Sequence, residues 1–312
     1  MTFAALLVFA LIVLFALFPG FFAPYDPSAQ SLGMRNLPPG TPHPDGGLPH
    51  LLGTDALGRD VLSRLIFAAR ISVAVGVAGV AVSGTIGLFL GVIAGYFRGK
   101  TDDIIMRTVD VVMGFPDLLF ALFILFVLGS GFWNIVIVFA VIRWPVYARV
   151  SRSLAMSLRE RSFIDASRTL GSTQIRVIFS HMLPNLLSPM IVLATLEVAR
   201  LILSEAALSF LGLGIRPPDT SWGLMLNDGR AYMRDAWWLV TLPGVMIALT
   251  ALSVNLLASW MRSVTDPVQR WRWLRNPKDT ARLHARAEDS AQMAPDEVAP
   301  DSVESDPDPD ER

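Results

Sequence analysis

The chain alternates long apolar stretches with short polar segments, and the apolar stretches have the length of a bilayer. A helix needs about 20 mostly apolar residues to cross the hydrocarbon, and six stretches reach that length: residues 3–22, 71–96, 108–128, 132–150, 185–213 and 237–261. The pattern therefore predicts an all-α membrane protein with six transmembrane helices. An even number of spans puts both ends on one side, and the arginines say which. The segment from Arg143 to Arg176 holds Arg143, Arg149, Arg152, Arg159, Arg161, Arg168 and Arg176 against only Glu160 and Asp165, the bias that marks a cytoplasmic segment. By alternation the loop at 97–107 and the tail after Trp260 are cytoplasmic as well, and both are basic. The expected layout is a first transmembrane helix (1–22), an external loop (23–70), a five-helix core (71–267) with a cytoplasmic loop at 159–184, and a cytoplasmic tail (268–312).

Composition sharpens this picture in three places. Hydrophobic residues make up 53% and charged residues 17% of the chain, far from the roughly 25% charged mixture of soluble domains. Charge is split: residues 1–287 hold 25 Lys/Arg against 17 Asp/Glu, whereas 288–312 hold ten acids against Arg312 alone. With so little to bury, the segment from 288 is expected to be disordered and without a part in transport. Cysteine is absent, which excludes disulfides, thiolate nucleophiles and cysteine metal sites. The first span carries no charge and lacks the basic start of a signal peptide, so it is read as an uncleaved helix.

Candidate chemistry is sparse. Ser83, Gly87, Gly91 and Gly95 fall on one face of the second span and predict close packing against another helix. Gly95 to Thr101 resembles a phosphate loop, but Ala94 stands where its first glycine belongs and a membrane helix stands where its strand belongs, so no nucleotide site is expected. The four histidines, His43, His50, His181 and His284, fall on opposite sides of the membrane and predict no metal site. Charges inside apolar spans are costly and point to function by default; Asp110, Asp117, Glu197, Arg200 and Glu205 are such charges. Two roles stay open for them, pairing within the membrane or lining a polar translocation path. A proton relay would use the same residues.

The most informative segment is the loop between spans four and five. Phe163, Ala166, Ser167 and Leu170 recur at helical spacing, Gly171 supplies a turn, and Pro184 is placed to start the next helix. A helix-turn-helix held under the membrane follows, with an apolar face suited to docking a partner or to lying on lipid.

This loop resembles the signature of importer permeases in the ATP-binding-cassette class, E-A-A, three residues, G, nine residues, I, one residue, L-P. Asp165, Ala166, Gly171, Leu183 and Pro184 match at the right spacing, with Asp165 for Glu, Ser167 for the second Ala and His181 for Ile. Leu52-Gly-Thr-Asp-Ala-Leu-Gly-Arg-Asp-Val-Leu-Ser-Arg64, Phe115-Pro116, Trp144 to Arg149, Ser204 to Gly214 and Pro217-Pro218 through Gly223 look like the dipeptide, oligopeptide and nickel permease family, second-subunit type. The resemblance implies one permease subunit of an importer in the bacterial inner membrane, both termini cytoplasmic. It implies a sister permease, two ATPase subunits and an external solute-binding protein as partners. ATP would be used by those partners; no enzyme activity, cofactor or metal belongs to this chain. The solute would be a peptide or similarly small molecule, and the segment from Asp165 to Pro184 would couple the permease to an ATPase.

Overall fold

The computed structural model describes residues 2–44 and 46–265. Helices carry the architecture, with two isolated β-bridges, Thr41 to His50 and Thr54 to Asp60, in the long loop after the first helix. In chain order the helices are α1 (Thr2–Leu17), α2 (Pro19–Phe22), α3 (Val61–Phe97), α4 (Gly99–Met113), α5 (Asp117–Leu128), α6 (Phe132–Arg159), α7 (Ser162–Thr169), α8 (Gln174–Arg176), α9 (Leu183–Phe210), α10 (Trp222–Gly229) and α11 (Trp238–Thr265). A π-helical segment, Val177–Met182, joins α8 to α9.

The expected count of six spans is not reached among the described residues. Four helical stretches are long and apolar enough to cross a membrane: Val61–Phe97, Phe132–Arg159, Gln174–Phe210 and Trp238–Val264. A fifth span exists only if α4 and α5 count together, and they meet at 88°. The stretch expected as one helix at 108–128 breaks because Gly114 caps α4 and Pro116 starts α5; a residue before proline is driven out of the α region. As for α1, its 16 residues rise only about 24 Å, short of the ~30 Å hydrocarbon core, and Pro19 opens a separate turn. At the other end of the external loop, α3 begins ten residues earlier than the expected 71, capped by Asp60, whose carboxylate accepts from the Ser63 amide at 2.8 Å. The expectations for the tail at 268–312 lie outside the described residues.

Helices α3 and α6 form the spine of the bundle, and the small-residue stripe is where they touch. A Cβ at Gly95 would sit 2.6 Å from the Arg152 carbonyl oxygen, and one at Gly87 or Gly91 would run into the backbone around Trp144 and Ala148. Ser83 is fully buried on the same face, its hydroxyl turned back to the Gly79 carbonyl. Without a hydrophobic drive between helices in lipid, this backbone-to-backbone approach supplies the van der Waals contact that holds the pair. Three buried clusters follow along the spine. At one end Ile12 and Ala16 of α1, Leu65 and Ala69 of α3, Trp222 and Trp238 pack together. In the middle Leu125 of α5, Phe139 and Ile142 of α6 and Leu201 of α9 meet. At the far end Val92, Tyr96 and Ala155 meet Ile164, Val177, Met182 and Leu186.

The external loop is ordered by its own charges. Asp55 accepts from the amides of Leu57 and Arg59 at 2.8 and 2.9 Å and pairs with Arg59 and Arg64 at 2.7 and 2.5 Å, while Arg64 also reaches Asp228 at the end of α10. The long polar motif of residues 52–64 thus tacks the loop to the start of α3 and to α10. Beside it, the Ser28 hydroxyl and amide hold the Asp26 carboxyl below the usual carboxylate range, and desolvation together with the Asp60 carboxylate pushes the Tyr25 phenol up.

Candidate functional site

The loop between α6 and α9 is a small, firmly rooted knob. Its first helix, α7, buries Ile164 completely against Val92, Tyr96 and Ala155, and the Tyr96 ring carries the Arg168 guanidinium 5.1 Å above its centre. That contact is a cation–π interaction. The helix ends in a Schellman motif: the Ser172 amide donates to the Ser167 carbonyl (3.1 Å) and the Gly171 amide to the Arg168 carbonyl (2.9 Å). Such a cap requires a left-handed residue, and Gly171 supplies it at φ +84°. The chain then turns through α8, where the Thr173 hydroxyl caps the Arg176 amide, and Val177 and Ile178 bury themselves beside Ile164.

Among the residues the root leaves outside are three large apolar ones. Phe163 is 42%, Leu170 86% and Ile175 71% exposed. Of the residues matched to the importer signature, Asp165 is exposed and 3.7 Å from Arg168, Ala166 is exposed and Ser167 is half-buried. Leu183 is buried in the root. His181 is half-buried in the π-helical segment, its carbonyl accepting from the Asn185 side-chain amide at 2.7 Å. Pro184 does not begin a new helix. It follows the π-helical segment directly, so that Gln174 to Phe210 is one continuous rod. A proline ring clashes with the carbonyl four residues back and removes a donor; the wider π turn just before it accommodates the ring.

Within the spans, the structure brings three of the five predicted charges together around a sixth residue, Arg143. Its guanidinium donates to Glu197 Oε2 through Nε at 2.9 Å and Nη2 at 2.5 Å, and to Asp117 Oδ2 through Nη1 at 2.6 Å. Glu197 Oε1 in turn accepts from Arg200 at 3.3 Å. The result is a chain of alternating charge, Asp117, Arg143, Glu197, Arg200, drawn from α5, α6 and α9. The break at Pro116 is what allows it, because it swings the first residue of α5 toward α6. Arg143 and Glu197 are buried, whereas the side chains of Asp117 and Arg200 are each 62% exposed. Asp110 stands apart, paired with Arg149 at 2.8 Å, both exposed.

Glu205 belongs to neither group. It is wholly buried, pairs with no cation among the described residues, and takes hydrogen bonds from Ser72 (3.3 Å) and Ser209 (2.6 Å). Ser72 also accepts from the Trp222 amide, and Ser209 from the Ile215 amide. Glu205 therefore ties α3, α9 and α10 together and lines no open path, which corrects its place among the ion-paired or path-lining charges. Sequence reasoning missed Arg143 by counting it with the basic residues of the cytoplasmic side. A lone arginine well inside the apolar run from Phe132 was the signal.

This arrangement, a membrane helical bundle with a capped apolar knob on one inter-helical loop, has relatives. A family model described as the binding-protein-dependent transport system inner membrane component matches residues 87–270, and a model for the N-terminal TM domain of oligopeptide transport permease C matches residues 1–39. The chain belongs to the family of binding-protein-dependent transport inner membrane components. Members similar to it include the di/tripeptide transport system permease protein DppC of Pseudomonas aeruginosa, 43% identical over 84% of this chain and 86% of that one. The nickel transport system permease protein NikC of Escherichia coli K12 is 38% identical over 84% and 92% of the two chains. A solved chain of the MetNI methionine ABC transporter, in an inward-facing conformation, covers 64% of this chain and 97% of its own at a TM-score of 0.51 and 15% identity, which shows a common fold. Several apolar helices and this membership make the protein a multi-pass inner-membrane transport component.

Proposed function

We propose that the chain is the permease subunit of an ATP-binding-cassette importer for peptides or solutes of similar size and polarity, and that the knob from Asp165 to Pro184 couples it to an ATPase. One observation carries the coupling role: a loop rooted by Ile164 and Val177 holds Phe163, Leu170 and Ile175 out of the bundle on a glycine-capped turn. Exposed apolar side chains on a rigid element are how a protein presents itself to a partner. Rigidity matters, because a push on the knob is then transmitted to α3, α6 and the continuous α8–α9 rod rather than absorbed, and tilting of these helices would switch the path between its two openings.

On this reading ATP is hydrolysed by two partner ATPase subunits, a sister permease completes the membrane unit, and an external binding protein delivers the solute. The chain itself performs no catalysis and holds no cofactor. Both termini face the cytoplasm, together with the basic loop from Arg159 to Arg176. The open ends of the charge chain, Asp117 and Arg200, lie along the solute's path. The test is reconstitution of the four membrane-associated parts in liposomes with the external binding protein. ATP-dependent uptake of a labelled peptide is expected, and uptake by the chain alone under a proton gradient would overturn the reading in favour of a secondary transporter.

A further inference from the structure

The charge chain has two open ends. Arg143 and Glu197 are buried and satisfy each other, but Asp117 and Arg200 each spend one contact inward and leave most of the side chain, 62% in both cases, uncovered. Arg200 lies inside the apolar helix α9 and Asp117 opens the apolar helix α5; a charge turned to lipid is expensive, so both uncovered heads call for a polar phase. The four charges sum to zero, and nothing on this face calls for a net countercharge from a neighbouring subunit. What remains is a dipole, with a carboxylate at one pole and a guanidinium at the other, held apart by the Arg143–Glu197 pair between them.

We propose that Asp117 and Arg200 form a subsite for zwitterionic peptides on the translocation path, Arg200 taking the free carboxylate and Asp117 the free ammonium; this rests on the importer reading above. A guanidinium meets a carboxylate through parallel charge-assisted hydrogen bonds, and a carboxylate takes an ammonium in the same strong class. Each pole is pre-set by its inner partner: Glu197 fixes the Arg200 guanidinium, and Arg143 fixes the Asp117 carboxyl. A ligand with one terminus blocked would leave one pole desolvated and unpaired, a penalty that discriminates more sharply than an added contact attracts. The buried pair in the middle holds the spacing and offers the ligand nothing.

The experiment uses the complete reconstituted importer with its binding protein and three labelled solutes: a dipeptide, its C-terminal amide and its N-acetyl derivative. Because the same binding protein serves every measurement, its own preferences cancel between wild type and variant. Arg200→Gln should lower the uptake ratio of free dipeptide to amide about tenfold, the effect of one lost charge-assisted contact, and leave the ratio of free dipeptide to N-acetyl dipeptide at the wild-type value. Asp117→Asn should do the reverse, and Arg200→Lys should retain most of the carboxylate preference. Equal falls in both ratios, or no change in either, would overturn the subsite. So would loss of the sister permease from Arg200→Gln with unchanged ratios, which would make this face a subunit contact. A wild-type importer that carries other solutes but none of the three peptides would overturn the peptide reading itself.

Discussion

Replacing Gly171 by valine should leave the protein in the membrane and separate it from ATP. The position is the left-handed residue of the Schellman cap that ends α7, with φ at +84° and no atom within 4 Å of where a Cβ would stand. Space is therefore not the obstacle; backbone conformation is. A β-branched residue held in this region costs about 1–3 kcal/mol. If the turn instead relaxes to negative φ, it forfeits the two capping hydrogen bonds from Ser172 and Gly171, each about 0.5–1.5 kcal/mol. Either route falls short of dissolving a helical bundle whose root residues Ile164, Val177 and Met182 remain fully buried. Relaxation displaces Leu170 and Ile175, which flank the turn. The variant should be made at wild-type abundance, retain its ATPase weakly on purification, and import little solute under a saturated binding protein. Gly171→Asn, which tolerates the left-handed region, should fall between the two, and Ser172→Val should behave as wild type. Wild-type uptake by Gly171→Val with the ATPase still bound would refute the coupling assignment of Asp165 to Pro184.

Other outcomes follow from the same geometry. Gly91→Leu should greatly reduce membrane abundance and thermal stability, by several kcal/mol, because its side chain must enter the α6 backbone at Ala148 and Arg152 and the Ser151 hydroxyl; Gly244→Ala, with open space around it, should be neutral in the same melting assay. Glu205→Gln, which keeps acceptor capacity for the Ser72 and Ser209 hydroxyls, should leave stability nearly unchanged, whereas Glu205→Leu should lower it by about 1–3 kcal/mol, read from thermal melting in detergent. Single cysteines at Ser28 and Ser172, in a chain with none of its own, should be reactive and unreactive respectively toward an impermeant thiol reagent in intact cells; labelling at Ser172 would reverse the orientation. Truncation after Ala287 should change uptake by less than about tenfold, equivalent to ~1.4 kcal/mol in a rate barrier.

The sequence by itself determined the class, the family and the knob. Apolar runs of bilayer length, arginines gathered in one inter-span segment and a glycine between two short helical patterns are local signals, and each reports physics acting within a few residues: transfer into hydrocarbon, and a backbone angle that glycine adopts freely. The stripe from Ser83 to Gly95 was legible for the same reason, as small residues at four-residue spacing announce a close approach without naming the partner. Tertiary structure alone decided that the partner is α6. It also decided that the stretch at 108–128 folds back at Pro116, because hydropathy averages over a window and does not register a bend. Asp117 reaches Arg143 only through that bend, and Glu197 has two cations rather than the one visible three residues away on its own helix. Glu205 shows the limit most clearly: in the sequence it is one more charge in a span, and only the packing of α3, α9 and α10 around it shows Ser72 and Ser209 turned toward it and, among the described residues, no cation paired with it. Pairings between residues from 26 to 54 positions apart depend on how helices cross, and crossing is set by the summed fit of many side chains, not by any local motif.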